Sequence, residues 1–175
     1  MENENLVLKT AWLDMPPGPM RVVASEEVVY LLEFTDRPGL AQEIEFLKKK
    51  TKSIITDGQT QAIRSLEKEL HQYFEGKLTT FNTPLVFLGT PFQQRVWEEL
   101  RKIPYGKTIS YADLALAIGK PSSYRAVAQA NGANQLAVVV PCHRVIYANG
   151  QLGGYAGGVE RKQWLLGHEN SQNNP

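Results

Sequence analysis

Ser110-Tyr-Ala-Asp-Leu-Ala-Leu-Ala-Ile-Gly119 and, one residue on, Pro121-Ser-Ser-Tyr-Arg-Ala-Val-Ala-Gln-Ala-Asn-Gly132 decide how the C-terminal half of this chain folds. Ser110 is placed to cap the first helix, with Asp113 as its capping-box partner and Gly119 as its stop. Pro121-Ser122 caps the second, which runs from Ser123 to Ala130 and closes at Asn131-Gly132. Two short helices joined by a tight glycine-containing turn fit a helix-turn-helix. The second helix is built from Ala126, Val127, Ala128 and Ala130 around Arg125. Such small side chains suit close packing on another helix and a close approach to a nucleic-acid groove alike.

Upstream, Thr90-Pro-Phe-Gln93 opens another helix, with Thr90 as N-cap, Pro91 at the first helical position and Gln93 completing a capping box. Phe92, Val96, Trp97 and Leu100 mark its core face, and Ile103-Pro-Tyr-Gly106 ends it. Further back, Leu6–Trp12, Met20–Ser25 and Val28–Phe34 read as strands, the first two separated by the Met15–Pro19 turn. Helical spacing follows at Leu40–Lys50 and Gln59–Phe74, with a short strand at Ser53–Thr56 between them. Residues 1–80 form a small α+β unit with no motif that carries chemistry; Lys48-Lys49-Lys50 reads as a solvated helix C-terminus.

Composition sets the class. The 175 residues are 42% hydrophobic and 21% charged, an ordinary globular balance. A single cysteine forms no internal disulfide, and the three histidines show no zinc-ligand spacing. Both features point to a reducing, cytoplasmic setting. The start, Met1-Glu-Asn-Glu-Asn-Leu-Val7, has no signal-peptide pattern, and no apolar run is long enough for a bilayer. Residues 1–90 carry 10 Lys and Arg against 13 Asp and Glu, whereas residues 91–175 carry 9 against 5. A basic C-terminal half on a nearly neutral chain is consistent with a local polyanion-binding face.

The lone cysteine lies in Val138-Val-Val-Pro-Cys-His-Arg-Val145. Three valines predict a stiff buried strand ended by Pro141, with the thiol of Cys142 at its tip. A lone cysteine is commonly a small buried hydrophobe. A thiol beside groups of the type of His143 and Arg144 can instead become a nucleophilic thiolate. Asn149-Gly150 predicts a hairpin. Gly153-Gly-Tyr-Ala-Gly-Gly158 fits no phosphate-binding pattern and instead would let backbone amides approach a flat ligand. Val159–His168 reads as a last helix with Trp164, Leu165 and Leu166 turned inward, and Asn170–Pro175 as a polar frayed end.

Pro-Cys-His-Arg-Val at 141–145 resembles the active-site signature of the O6-alkylguanine-DNA alkyltransferases, also called methylated-DNA–protein-cysteine methyltransferases. The likeness extends from Gly89 to Glu169 through Thr-Pro-Phe-Gln-Gln, Ile-Pro-Tyr-Gly-Lys-Thr-Ile-Ser-Tyr, Arg-Ala-Val-Ala, Ala-Asn-Gly-Ala-Asn and Trp-Leu-Leu-Gly-His-Glu. The N-terminal part resembles the family more weakly, and the length is that of the stand-alone bacterial members. The resemblance implies an α+β protein, with a ribonuclease-H-like α/β domain over 1–85 and a mainly helical helix-turn-helix domain over 86–175 that binds DNA and transfers the alkyl group.

The activity it implies is DNA repair: direct, irreversible, single-turnover transfer of an alkyl group from O6-alkylguanine, with O4-alkylthymine as a further possible substrate, to Cys142 after base flipping. It implies no cofactor and no metal; the partner is double-stranded DNA carrying the lesion, not a membrane, and the protein is a monomer. By match to the family, His143 takes the thiol proton through a water, Glu169 holds His143, and Asn134 ties the recognition helix to the cysteine segment. Arg125 is the finger that fills the gap in the base stack. Tyr111 and the Ala156 N–H donate to the flipped base, the carbonyls of Cys142 and Val145 accept from it, and Tyr155 walls the pocket. Ser110, Tyr111, Ser123, Arg125, Ala126 and Ala130 are the DNA-contacting set, with Val127 among the small residues that permit close approach. Two departures stand out: Gln135 where a proline is frequent, which bears on the stiffness of the 132–137 loop, and Ala156 where some members have Ser. A lesion-sensing relative without transfer activity would lack Cys142. A cysteine hydrolase would leave the helix-turn-helix without a purpose.

Overall fold

Consecutive buried residues along Leu6–Met15 (β1), Gly18–Ala24 (β2) and Val29–Phe34 (β3) give strands with apolar side chains on both faces. In the computed structural model, which describes residues 5–173, they join Ser53–Asp57 (β4) in a sheet of order β3-β2-β1-β4. β1 and β2 are antiparallel, as are β2 and β3, while β4 runs parallel to β1. The parallel crossover is made by the helix Leu40–Thr51 (α1), whose Ile44 and Leu47 join Leu8, Val23 and Leu31 in one buried cluster. Gln61–Phe74 (α2) packs against β1 and β2 through its row Ile63, Leu66, Leu70 and Tyr73. Thr60 caps α2 by accepting from the Ile63 N–H, so the helix starts after Gln59. Buried Glu69 on α2 accepts from the backbone N–H groups of Asn82 and Thr83 and fixes the segment beyond the helix.

The chain divides into two compact units, Met1–Leu88 and Gly89–Pro175. The second begins with Pro91–Leu100 (α3), where Thr90 and Gln93 form the expected capping box. Val96, Trp97 and Leu100 are buried, and Phe92 is half-buried. Ile109–Ser110 (β5) leads into Tyr111–Ala117 (α4), and Tyr124–Gly132 (α5) follows. α3, α4 and α5 pack on one another. Ser110 accepts from the Asp113 N–H as an N-cap should. The cap of α5 corrects the sequence reading: Ser123, not Pro121-Ser122, holds the N-cap position, and its side chain makes no capping bond.

Further expectations are corrected. Val138–Val140 is no strand: Val138 has φ 71°, and the N–H groups of Val139 and Val140 bond back to the carbonyls of Ala137 and Leu136. The β-branched run is buried, as its composition requires, but in a tight turn that leads into a 3-10 turn at Cys142–Arg144. Asn149-Gly150 does turn, with the Gly150 and Tyr147 N–H groups bonded across it, yet no strand returns among the described residues. Val145–Ile146 (β6) pairs in parallel with β5 instead.

The last helix, Val159–Asn173 (α6), continues past His168, so Asn170–Asn173 is helical; Asn174 and Pro175 lie outside the described residues, as do Met1–Glu4. Its inward row is Lys162, Leu165 and Glu169, while Trp164 is 39% exposed and stacks on His168, and Leu166 is half-buried. Among the described residues no helix is long and apolar enough to cross a membrane.

Candidate active site

The 3-10 turn places Cys142, His143 and Arg144, all buried, where α6 and α3 pack against it. Asn134, just beyond α5, organises the approach to the thiol. Its Oδ1 accepts from the Leu136 N–H at 3.0 Å, and its Nδ2 donates to the Val140 carbonyl at 2.9 Å and to Cys142 Sγ at 3.2 Å. These bonds tie the 132–137 loop, which carries Gln135, to the segment of Cys142. Asn131, at the end of α5, donates to the Cys142 carbonyl at 3.4 Å.

On the other side, Glu169 of α6 is 1% exposed and collects donors from three residues. His143 Nε2 lies 2.7 Å from its Oε2, Arg144 contacts it with Nε at 2.8 Å and Nη2 at 3.0 Å, and the Gly106 N–H reaches it at 3.3 Å. Burial alone would raise the Glu169 pKa, but the hydrogen bonds and charges of His143 and Arg144 outweigh it and hold the carboxyl well below the usual carboxylate range. An ionised carboxylate only accepts, so His143 donates from Nε2. Burial also lowers the His143 pKa, against the pull of Glu169, which favours the neutral imidazole. In that tautomer Nδ1 is a bare lone pair, and among the described residues it has no hydrogen-bond partner. The arrangement is a thiol followed in sequence by a neutral, carboxylate-oriented base.

The cation expected beside the thiol is not Arg144. Its guanidinium is occupied by Glu169 and by the Ile103 carbonyl at 2.8 Å. The sequence reading missed Lys162, which is fully buried. Its Nζ donates to the carbonyls of Val145 at 2.6 Å, Gly154 at 3.2 Å and Leu152, and lies 5.7 Å from the Tyr111 ring centroid. Desolvation pulls its pKa down to about 8, while the charge of Cys142 acts in the opposite direction. The signal was present in the spacing, since Lys162 shares the helix face of Leu165 and Glu169, but a lysine at such a position reads as solvent-facing. Lys162→Met keeps the length and removes the donor, leaving the buried Val145 carbonyl and the partly buried carbonyls of Leu152 and Gly154 short of a partner. It is expected to lower unfolding stability by about 2–3 kcal/mol, measured by chemical denaturation.

Tyr111, 7% exposed, stands beside the sulfur at the start of α4. Burial, then the neighbouring Tyr147 and Cys142, push its pKa to about 12 against a hydrogen bond from Asn131, so its hydroxyl keeps its proton. Gly153, at φ +75°, passes so close that a Cβ there would meet the Tyr111 hydroxyl at 3.0 Å. The glycine-rich loop therefore brings its backbone onto the tyrosine, with Tyr155 and Ala156 half-buried after it. Along α5, Tyr124, Arg125, Ala126 and Gln129 are exposed. Val127 and Ala130 are not: both are buried, because helical periodicity turns them toward the packed side, and the Ala130 carbonyl accepts from Trp97 Nε1. Of the small residues expected to face a groove, Ala126 is exposed. Ser110 and Ser123 are half-buried at the two helix starts.

Residues 91–171 match the family model described as 6-O-methylguanine DNA methyltransferase, DNA binding domain. The methylated-DNA–protein-cysteine methyltransferase of Shigella flexneri is 42% identical over 159 residues, 88% of this chain and 91% of that protein. The chain belongs to the methylated-DNA–protein-cysteine methyltransferase family. The Methanosarcina acetivorans member is 40% identical across 92% of this chain and 97% of its own. The crystal structure of Mycobacterium tuberculosis O6-methylguanine methyltransferase has a TM-score of 0.81 and 38% identity, covering 95% of both chains. The OGT of that organism in complex with DNA has a TM-score of 0.80 and 39% identity over 95% of this chain and 94% of its own. A methylated-DNA–protein-cysteine methyltransferase needs one acceptor thiol, and Cys142 is the only cysteine in the chain.

Proposed function

We propose that this protein repairs DNA by moving an alkyl group from O6 of guanine in a duplex onto Cys142, once per molecule. The observation that carries this reading is the single thiol, held by Asn134, directly before a histidine whose Nε2 is fixed by Glu169 and whose Nδ1 is free to accept. The thiol proton passes to Nδ1 of His143 through a bridging water. Cys142 Sγ attacks the alkyl carbon; the S–C bond forms as the C–O6 bond breaks, and the electron pair leaves with guanine. Tyr111, a protonated phenol at neutral pH, and the Ala156 N–H offer hydrogen bonds to the departing base, which takes a proton from water and becomes ordinary guanine while the His143 imidazolium returns the thiol's proton to solvent. The product is a thioether, and no second displacement releases it. Lys162 places positive charge near the sulfur and pins the Val145 carbonyl, which with that of Cys142 faces the base amino group. Tyr155 closes the pocket wall.

In the same reading, Met1–Leu88 is a ribonuclease-H-like scaffold, and α4 with α5 is a helix-turn-helix that meets the minor groove. Ser110, Ser123 and Ala126 approach the DNA backbone, and the protein acts as a monomer in the cytoplasm. The alkylated base lies inside the duplex and must be extruded, at a cost of roughly a few kcal/mol. Exposed Arg125, on the open side of α5, enters the gap it leaves. Arg125→Ala is expected to slow methyl transfer from an O6-methylguanine duplex by about tenfold or more, as removal of a stacking side chain does. Transfer from free O6-benzylguanine should be unchanged. Single-turnover time courses on the two substrates check this, and equal losses on both would contradict the finger role.

A further inference from the structure

Beside Tyr111 stands Tyr147, an aromatic side chain unused by the reaction as described. Tyr147 follows β6, is 49% exposed, and leans on Tyr111 with ring centroids 5.1 Å apart at an interplanar angle of 50°. Its ring also packs by Gly153, where a Cβ would come within 3.2 Å of it. With Tyr111, Tyr124, Arg125, Ala128 and Gln129 it lines a cavity of about 510 Å3, between the open side of α5 and the start of α4. The cavity is apolar apart from the guanidinium of Arg125, the Gln129 amide and the phenols at its edge. An aromatic wall with one cation at its rim suits a nucleotide, whose base offers a flat π-face and whose phosphate offers an anion.

Position narrows the occupant. A nucleotide displaced by Arg125 and delivered against Tyr111 must cross the space between these two residues, and Tyr147 faces that space. We infer that Tyr147 is a duplex-specific binding residue, holding the extrahelical nucleotide against its ring as the base travels from Arg125 to Tyr111. The inference deepens the alkyl-transfer reading and rests on it. Tyr147 lies outside the Cys142–His143–Glu169 relay, so its contribution belongs to substrate capture and not to the chemistry at sulfur. A free base that diffuses in alone has no sugar or phosphate to guide and gains little from it.

The experiment compares single-turnover transfer to Cys142 from an O6-methylguanine duplex and from free O6-benzylguanine, for the unaltered protein and for Tyr147→Ala and Tyr147→Phe. Tyr147→Ala should slow the duplex reaction by about tenfold, the worth of one stacked base, and leave the free-base rate within about twofold. Tyr147→Phe, which keeps the ring, should react with the duplex at the unaltered rate. The rate's dependence on duplex concentration should place the loss in the half-saturating concentration, with the limiting rate retained. Equal losses on both substrates, or an unchanged duplex rate in Tyr147→Ala, would overturn the inference; so would a Phe variant as slow as the Ala variant. Absence of transfer from the duplex to the unaltered protein would overturn the alkyl-transfer reading and this inference with it, whereas transfer at rates insensitive to Tyr147 overturns the inference alone.

Discussion

Glu169→Ala is expected to cost about 3–5 kcal/mol of stability and to slow methyl transfer by about 10²- to 10⁴-fold. The first figure is that for removing one member of a buried ion pair, and the second that for losing the carboxylate that orients a catalytic imidazole. Glu169 bonds to both His143 and Arg144, and all three are buried. Without it a guanidinium remains in the interior, held by the Ile103 carbonyl and by no countercharge at that oxygen. The imidazole also loses the partner that keeps its proton on Nε2, so Nδ1 is no longer held as the base. Chemical denaturation and a single-turnover time course on the same preparation measure the two losses. A variant as stable as the parent would contradict the hub role.

The pH dependence follows from the same contacts. Glu169 titrates below the usual carboxylate range in the folded protein. Its contribution is therefore complete above the unfolded carboxylate pKa of about 4.3 and is lost as pH falls below that value. The stability gap between the parent and Glu169→Ala should shrink in acid. His143, buried and depressed, adds a loss in the same direction, because the unfolded imidazole gains a proton below about pH 6.5 while the folded one resists it. The acid limb of the transfer rate should accordingly lie below about pH 6.5, the ordinary histidine value.

Asn134→Ala should be the second most damaging change, lowering stability by about 2–4 kcal/mol, again read by chemical denaturation. One side chain accepts from the Leu136 N–H and donates to the Leu136 and Val140 carbonyls and to the sulfur, all in the interior. Each buried polar group left without a partner costs about 1–3 kcal/mol. The turn also holds Val138 at φ 71°, a region that a β-branched residue enters at a cost of about 1–3 kcal/mol and keeps only when its surroundings enforce it. With Asn134 gone, that strain can be released by moving the segment that carries Cys142. Transfer should slow by at least about tenfold, since misplacing a reacting atom by an ångström is enough for such losses. Asn134→Asp separates position from charge: it keeps an acceptor for Leu136 but sets a carboxylate against Sγ. It should therefore be slower than Asn134→Ala if the amide N–H supports the thiolate.

What the sequence disclosed divides by the range of the forces involved. The capping box at Thr90 and Gln93 and the end of α2 at Phe74 depend on neighbours in the chain, and both were legible. Val138–Val140 was misread because β-branched residues favour strands only where a ladder is available. Here their N–H groups bond within the turn, and Asn134, whose bonds no pattern announces, takes the Val140 carbonyl. No sequence pattern marks Glu169, and only the resemblance placed it at His143; the structure buries it. Lys162 went unnoticed because its acceptors, the carbonyls of residues 145, 152 and 154, belong to segments that sequence periodicity does not describe. Trp164 was assigned inward on hydrophobicity, yet the inner face of α6 is defined by two charged residues with buried partners.

The most direct test of alkyl transfer to Cys142 is the mass of the protein after one reaction. Purified protein is mixed with excess duplex carrying a single O6-methylguanine, beside a Cys142→Ser control, and intact mass and peptide mapping are read at completion. One added methyl group is expected on the peptide containing Cys142, saturating at one per molecule, with the control unmodified. A protein that binds the duplex and stays unmodified, or one methylated at another residue with Cys142 intact, would contradict it.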